Sequence, residues 1–204
     1  MIFNIVYVLI AYLLGNILGA KVVELVYNEK ITGRGSGNLG ARNAGRLLGN
    51  RAFLLVLAID FFKGFLVVIL LKIFSIDIKI IMICALFVIL GHIKPALWKF
   101  KGGKGVATFF GATAALSLHV FLILVMCTVI LIIALKSATL GFYGALPIVA
   151  FINHMEFKNY IASGIFLLII VILYFVAIED IEKSFEKYFS VKKKVVNNKK
   201  VRTP

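Results

Sequence analysis

The sequence predicts an all-α, polytopic integral membrane protein with seven transmembrane helices, its N-terminus outside and its C-terminus in the cytoplasm. Three observations carry that prediction: the quantity of apolar residues, the length of the runs they form, and the sorting of charge between the loops. Residues of the types A, V, I, L, M, F, W, Y and C make up 62% of the 204, and the mean hydropathy is +1.04. Soluble domains hold roughly 45–50% apolar residues even with Gly counted. A 22.6 kDa globule has too much surface for its volume to hide the excess. A soluble enzyme and a disordered chain are both excluded, and membrane lipids become obligatory partners.

A spanning helix takes about 20 apolar residues. The runs Ile2 to Val26, Ala52–Ile73, Ile78–Gly91, Val120–Leu135 and Ile161–Ile178 fit, and Val106–Ser117 and Thr139–Ile152 are shorter candidates. The first run is too long for a secretory signal and no Ala-x-Ala site follows it, so it is expected to remain as the first span. Residues 105–135 read as one long helix or as two joined near Ser117-Leu118-His119. Charge decides between them. With a break there, 18 Lys and Arg fall on one side, in the loops around 30–51, 94–104 and 136 and from Lys183 onward. The other side holds only Lys72, Lys79 and Lys158. Cytoplasmic loops carry the excess of Lys and Arg, which puts the 18 inside. The chain divides accordingly into a membrane domain, 1–182, and a basic cytoplasmic tail, 183–204.

The formal net charge of +14 calls for anionic company, in headgroups or phosphates. The tail reads as an inner-leaflet ligand or as a solvated topology signal. It lacks interleaved aromatics, so nucleic acid is not an expected partner. Cys84 and Cys127 lie in apolar runs without metal spacing and read as small hydrophobes. Asp60 and Lys63, three apart in the second span, read as a structural intramembrane pair.

Two Gly-rich segments share the inner side. The first runs Gly33-Arg-Gly-Ser-Gly-Asn-Leu-Gly-Ala-Arg-Asn-Ala-Gly-Arg46, and the second runs from Gly91-His92 through Lys101-Gly-Gly-Lys-Gly105 to Thr108; together they hold nine of the 17 glycines. Gly35-x-Gly37-x-x-Gly40 has the form of a dinucleotide fingerprint, but no strand precedes it. Gly102-Gly103-Lys104-Gly105 is similar to a P-loop, yet Trp98 and Gly105 stand where a Walker A motif needs Gly and Ser or Thr. Neither is a nucleotide site. The second segment reads instead as an anion cradle: Lys101 and Lys104 supply charge, and Gly102, Gly103 and Gly105 let amides face one concavity. A helix starting near Val106 adds its positive end. The first segment adds Ser36, Asn38 and Asn43, with Arg42 and Arg46 on one helical face as a phosphate clamp or as headgroup contacts. His92 reads equally as a catalytic or a satisfied interfacial histidine. Zinc-hydrolase and His-x4-Asp signatures are absent, and neither a metal nor a cofactor is expected.

Ser36-Gly37-Asn38-Leu39-Gly40-Ala41-Arg42-Asn43 with Arg46, Gly91-His-x-x-Pro95 running into Phe100-Lys-Gly-Gly-Lys-Gly-Val-Ala-Thr108, and Asp60-Phe-Phe-Lys-Gly64 resemble the bacterial membrane family PlsY. That resemblance covers about the first 145 residues. It implies an acyl-phosphate:glycerol-3-phosphate acyltransferase with seven spans and a cytoplasmic site. Three departures stand out. Arg42 occupies a usual Thr position. Lys136-Ser-Ala-Thr-Leu140 replaces Arg-Tyr-x-Ser-Leu, so that Thr139 supplies the hydroxyl. Ala177-Ile-Glu-Asp180-Ile-Glu-Lys183 stands in place of the third motif, His-Arg-x-Asn-Ile-x-Arg-Leu.

Such a reaction needs anion anchoring and alignment more than a strong base, because an acyl phosphate carries a good leaving group. The resemblance therefore implies Ser36, Arg46, Lys104 and Thr139 as the catalytic set. Gly37, Asn38, Gly40, Asn43, His92, Lys101, Gly102, Gly103 and Gly105 would bind glycerol 3-phosphate and acyl phosphate. No protein base is evident, and the leaving phosphate oxygen is the expected proton acceptor. The degraded third motif keeps a second reading open: a catalytically impaired relative that binds a phosphate-bearing lipid precursor and regulates or scaffolds lipid synthesis.

Overall fold

The computed structural model describes residues 2–200, with side chains to position 190. Every regular element among them is helical: α1 (Ile2–Gly15), α2 (Gly19–Tyr27), α3 (Ala41–Leu48), α4 (Asn50–Ile73), α5 (Ile78–Ile93), α6 (Val106–Leu116), α7 (Leu118–Leu135), α8 (Ala138–Phe157) and α9 (Tyr160–Lys200). Five stretches are long and apolar enough to cross a bilayer: Asn50–Ile73, Ile78–Trp98, Leu118–Leu135, Ala138–Phe157 and Tyr160–Ser190. The first apolar run is not one rod. It breaks between Gly15 and Gly19, and α1 and α2 together make a sixth candidate bent by 40°. The 11 residues of α6 extend about 16 Å, roughly half the hydrocarbon thickness.

The expected interruption near Ser117 is present. Ser117 ends α6 and begins α7 in extended conformation, and its hydroxyl accepts a hydrogen bond from Val120 N at 3.2 Å. Lys72 reaches across from α4, and its Nζ donates to the last carbonyls of α6, Ala115 at 2.9 Å and Leu116 at 2.8 Å. A short helix ending beside lipid needs such a partner, because no water is there to take its free carbonyls. The same helix packs tightly on α4 through glycine. A Cβ on Gly64 would collide with the Thr108 carbonyl, and one on Gly111 with the Phe61 carbonyl. Small residues of this kind let helix backbones approach closely in membranes.

The break in the first span is held by the anticipated intramembrane pair. Lys63 Nζ lies 3.0 Å from Asp60 Oδ1 and also donates to the carbonyls of Gly15 (3.1 Å) and Ile17 (2.7 Å). Asp60 Oδ1 accepts from Gly19 N at 3.1 Å. The cation thus sits at the carbonyl end of α1 and the anion at the amide end of α2, each matched to the helix dipole it faces. Asp60 is 1% exposed and Lys63 6%, so neither charge has water to fall back on. The tail beginning at Lys183 continues α9 as helix to Lys200, and residues 201–204 lie outside the described residues.

Asp60→Ala, which leaves Lys63 buried without its counter-charge, is expected to destabilise the protein by about 3–5 kcal/mol. Pairing it with Lys63→Met should recover part of that loss. Denaturant unfolding in detergent micelles measures both.

Candidate active site

The two Gly-rich segments meet. Loop 1 (residues 28–40) ends where Gly40 starts α3, and loop 2 (residues 94–105) ends where Gly105 starts α6. A Cβ built on Gly103 would stand 3.1 Å from the carbonyl oxygen of Leu39, so the loops touch just ahead of both helices. Neither Gly40 nor Gly105 offers a side-chain cap. Each touching loop therefore leads into a positive helix end with free amides, a feature suited to an anion. Gly105 has φ +79°, a left-handed conformation that favours glycine.

Loop 1 is braced from within by Asn43. This side chain is fully buried; its Oδ1 accepts from Ser36 N and its Nδ2 donates to Arg34 O, both at 2.9 Å. Gly35 leaves room for that amide, since a Cβ there would strike Asn43 Oδ1. The sequence placed Asn43 among the ligand contacts, but its hydrogen-bonding capacity is turned toward the loop. Ser36 and Arg46 are exposed, and Asn38 is half-buried. Among the described residues these three side chains have no hydrogen-bond partner, and neither does that of exposed Lys101.

Loop 2 is clamped to the break in the first span. Asn16 Oδ1 accepts from Leu97 N (3.1 Å), Trp98 Nε1 donates to Asn16 O (2.9 Å), and Tyr12 Oη donates to Lys94 O (2.8 Å). His92 is 2% exposed, and its Nδ1 lies 2.8 Å from Lys63 Nζ and 3.4 Å from Asp60 Oδ1. Its carbonyl accepts from Gly103 N at 3.1 Å. This revises two expectations. His92 extends the buried charge pair rather than standing at the surface, and the Gly103 amide is committed to His92 instead of being free in the cradle. A Cβ on Gly102 or Gly103 would run into His92 itself, so these glycines serve close loop-to-helix packing as well as any ligand.

Two contacts join this end of the bundle to the later helices. Arg42 Nη1 donates to Thr139 Oγ1 at 3.2 Å, tying α3 to the first turn of α8. That bond uses one of the five guanidinium donors of Arg42. Lys104 Nζ forms an ion pair with Asp180 Oδ2 on α9. The Tyr143 hydroxyl is buried without a hydrogen-bond partner among the described residues. The structure therefore gathers Lys104, Arg42, Thr139 and Asp180 at one end of the bundle, beside the uncapped starts of α3 and α6. Asp180 was flagged in the sequence only as part of the stretch that stands in place of the third motif, and Tyr143 carried no signal, because helix-to-helix proximity across the chain decides their place.

With this geometry in view, the comparisons with known proteins agree on one family. The family profile described as glycerol-3-phosphate acyltransferase matches residues 5–187. The chain belongs to the glycerol-3-phosphate acyltransferase family. It is 38% identical over 172 residues to glycerol-3-phosphate acyltransferase 1 of Bacillus cereus, covering 82% of this chain and 93% of that protein. Crystal structures of PlsY, an integral membrane glycerol 3-phosphate acyltransferase, superpose on 91% of this chain and 93% of theirs. The glycerol 3-phosphate form gives a TM-score of 0.83 and the lysophosphatidic acid form 0.82, each at 28% identity. The resemblance carried by the loop motifs is thus a family relationship. This member is a multi-pass, all-helical membrane protein.

Asn43→Ala is expected to free loop 1, because it orphans the Ser36 amide and the Arg34 carbonyl at about 1–3 kcal/mol. Faster trypsin cleavage after Arg34, and faster hydrogen exchange at Ser36, would report the loss.

Proposed function

We propose that this chain transfers a fatty acyl group from an acyl phosphate to the sn-1 hydroxyl of glycerol 3-phosphate. The products are lysophosphatidic acid and inorganic phosphate, feeding phospholipid synthesis. The observation that carries this reading is the contact of loop 1 with loop 2 at Leu39 and Gly103, each loop leading into an uncapped helix start and Lys104 following Gly103. Family membership supports glycerol 3-phosphate as the acceptor. The donor is inferred from the resources of the site: it is rich in cations and hydrogen-bond donors, and an activated mixed anhydride asks for those.

In this reading Lys104 and the free amides at the start of α6 hold the phosphate of glycerol 3-phosphate. Arg46 and Lys101 are the additional cations, free to turn toward either phosphate. Ser36, Asn38 and the backbone of Gly37 and Gly40 orient the glycerol hydroxyls. Arg42 fixes Thr139 so that the Thr hydroxyl stands at the reacting groups. Asn43, His92, Gly102, Gly103 and Gly105 hold the two loops in register, which keeps the reactants aligned. The acyl chain lies along apolar helix faces within the bilayer, where its methylenes need no water.

The topology proposed with it has seven crossings, α6 counting as the short one. The N-terminus is outside, and both loops and the basic end of α9 lie in the cytoplasm. The split of 18 basic residues against three supports that orientation. The tail from Lys183 forms the cytoplasmic extension of α9, and at 41 residues the helix measures about 60 Å, twice the hydrocarbon thickness.

Purified protein given palmitoyl phosphate and radiolabelled glycerol 3-phosphate is expected to yield labelled lysophosphatidic acid on chromatography. Lys104→Ala should abolish glycerol 3-phosphate binding in calorimetry and reduce product at least roughly 100-fold, as losing a charged anchor does. Unchanged kinetics in this variant would remove Lys104 from the site. Tight glycerol 3-phosphate binding by the parent chain without product would favour the impaired, regulatory relative instead, the reading that Ala177 and Asp180 left open.

A further inference from the structure

By itself α5 is too short to cross a bilayer. Its 16 residues extend about 24 Å, against a hydrocarbon thickness of about 30 Å. Polar Asp77 and Lys79 hold its first turn at one interface. The turn that follows its other end, residues 94–100, therefore starts loop 2 at the edge of the bilayer and not out in water. Its side chains suit that level. Leu97 is 66% exposed, Phe100 58% and Trp98 37%, and exposed Lys94 and Lys99 stand among them. The membrane–water boundary favours this mixture, with rings at headgroup depth and ammonium groups snorkelling to the phosphates.

The turn is firmly built. Pro95 O accepts from Trp98 N at 3.1 Å and from Phe100 N at 2.9 Å. Tyr12 and Asn16 hold it from the protein side, through Lys94 O, Leu97 N and Trp98 Nε1. Lys99 and Phe100 both take left-handed backbone, with φ of 54° and 59°, a strain that persists only where the surroundings fix it. Lys21 Nζ lies 4.9 Å from the Trp98 ring centre, but its charge is met by Glu24 at 2.7 Å. Among the described residues, Lys94 and Lys99 have no acidic partner. Two cations without a counter-ion and three exposed apolar side chains thus sit on one rigid turn.

We propose that this turn is a binding site for anionic phospholipid. Leu97, Trp98 and Phe100 enter the acyl boundary, and Lys94 and Lys99 take a headgroup phosphate. A zwitterionic lipid would satisfy the apolar side chains equally, so the two unpaired lysines are what select net negative charge. The site lies outside the cradle that begins at Lys101, and it stands whether or not the acyl-transfer reading does. It gives loop 2 a second support. Tyr12 and Asn16 hold the turn from the protein side and lipid holds it from the bilayer side, immediately before Lys101-Gly102-Gly103-Lys104.

Trp98 is the single tryptophan of the chain, so tryptophan fluorescence reports on this turn alone. The test reconstitutes the full chain in vesicles of phosphatidylcholine mixed with phosphatidylglycerol, with bromine on the acyl chains of one lipid and then of the other. Quenching across the mixtures gives the relative binding constant of the two lipids beside Trp98. Wild type is expected to prefer phosphatidylglycerol by roughly 5-fold or more, the scale of one lysine at an anionic surface. That preference should fall toward unity in about 1 M salt, where the Debye length is about 3 Å, and also in Lys94→Gln/Lys99→Gln. Lys94→Arg/Lys99→Arg, which keeps both charges, should retain it. Equal quenching by the two lipids in wild type overturns the proposal. A preference that the Gln pair leaves unchanged, or that the Arg pair loses as well, places its source elsewhere and overturns it too. The salt series needs no variant, so it decides the matter should the Gln pair fail to fold: a preference untouched by salt is not one of charge. Absence of quenching by either lipid puts the turn in water or against another protein, and likewise overturns the site.

Discussion

A backbone interrupted inside an apolar span must find its hydrogen bonds within the protein, and this requirement governs the whole arrangement. The chain breaks between Gly15 and Gly19, where an unbroken helix would have needed nothing further. Lys63 satisfies the carbonyls of Gly15 and Ile17, and Asp60 satisfies the amide of Gly19. Two charges that would be costly alone become tolerable together, because each also meets the helix terminus of opposite sign.

From that break the loops are positioned by short links. Asn16, inside the interruption, takes the Leu97 amide and the Trp98 indole, so the break holds the first half of loop 2. His92 carries the buried charge onward, and its carbonyl takes the Gly103 amide. Gly103 in turn lies against Leu39 of loop 1, and Asn43 keeps loop 1 folded. A site of exposed loops is thus tied to rigid helices through buried polar side chains, which is how loop residues are held to the tolerance that chemistry needs.

Charge at this end of the bundle is unbalanced by design of the composition. The chain has 23 Lys and Arg against nine Asp and Glu, and most of the acids are already bound to specific partners. Of the basic groups near the loops, Arg42 is directed at Thr139 and Lys104 at Asp180, while Arg46 and Lys101 stay exposed. The surplus cations and the free helix amides together form a positive field at this end of the bundle.

Much of this was legible in the sequence. Apolar run lengths located the long helices, and the Gly and Lys spacing located both loops, because bilayer thickness and backbone geometry act on local sequence. The ion pair of Asp60 and Lys63 was legible for the same reason, since three residues apart on one helix are neighbours. The break at Gly15–Gly19 was hidden, as Leu14, Ile17 and Leu18 continue the apolar run and only Asn16 interrupts it. The partners of Lys104 and Arg42, and the inward turn of Asn43 and His92, lay beyond reach, because they depend on which helices pack together. Sequence by itself determined that this chain lives in a membrane and presents two basic glycine loops. Only the tertiary structure decided which polar side chains are turned into the scaffold and which stay open at the loops, because contacts such as that of Lys104 with Asp180, 76 positions apart, arise from packing and leave no periodic trace along the chain.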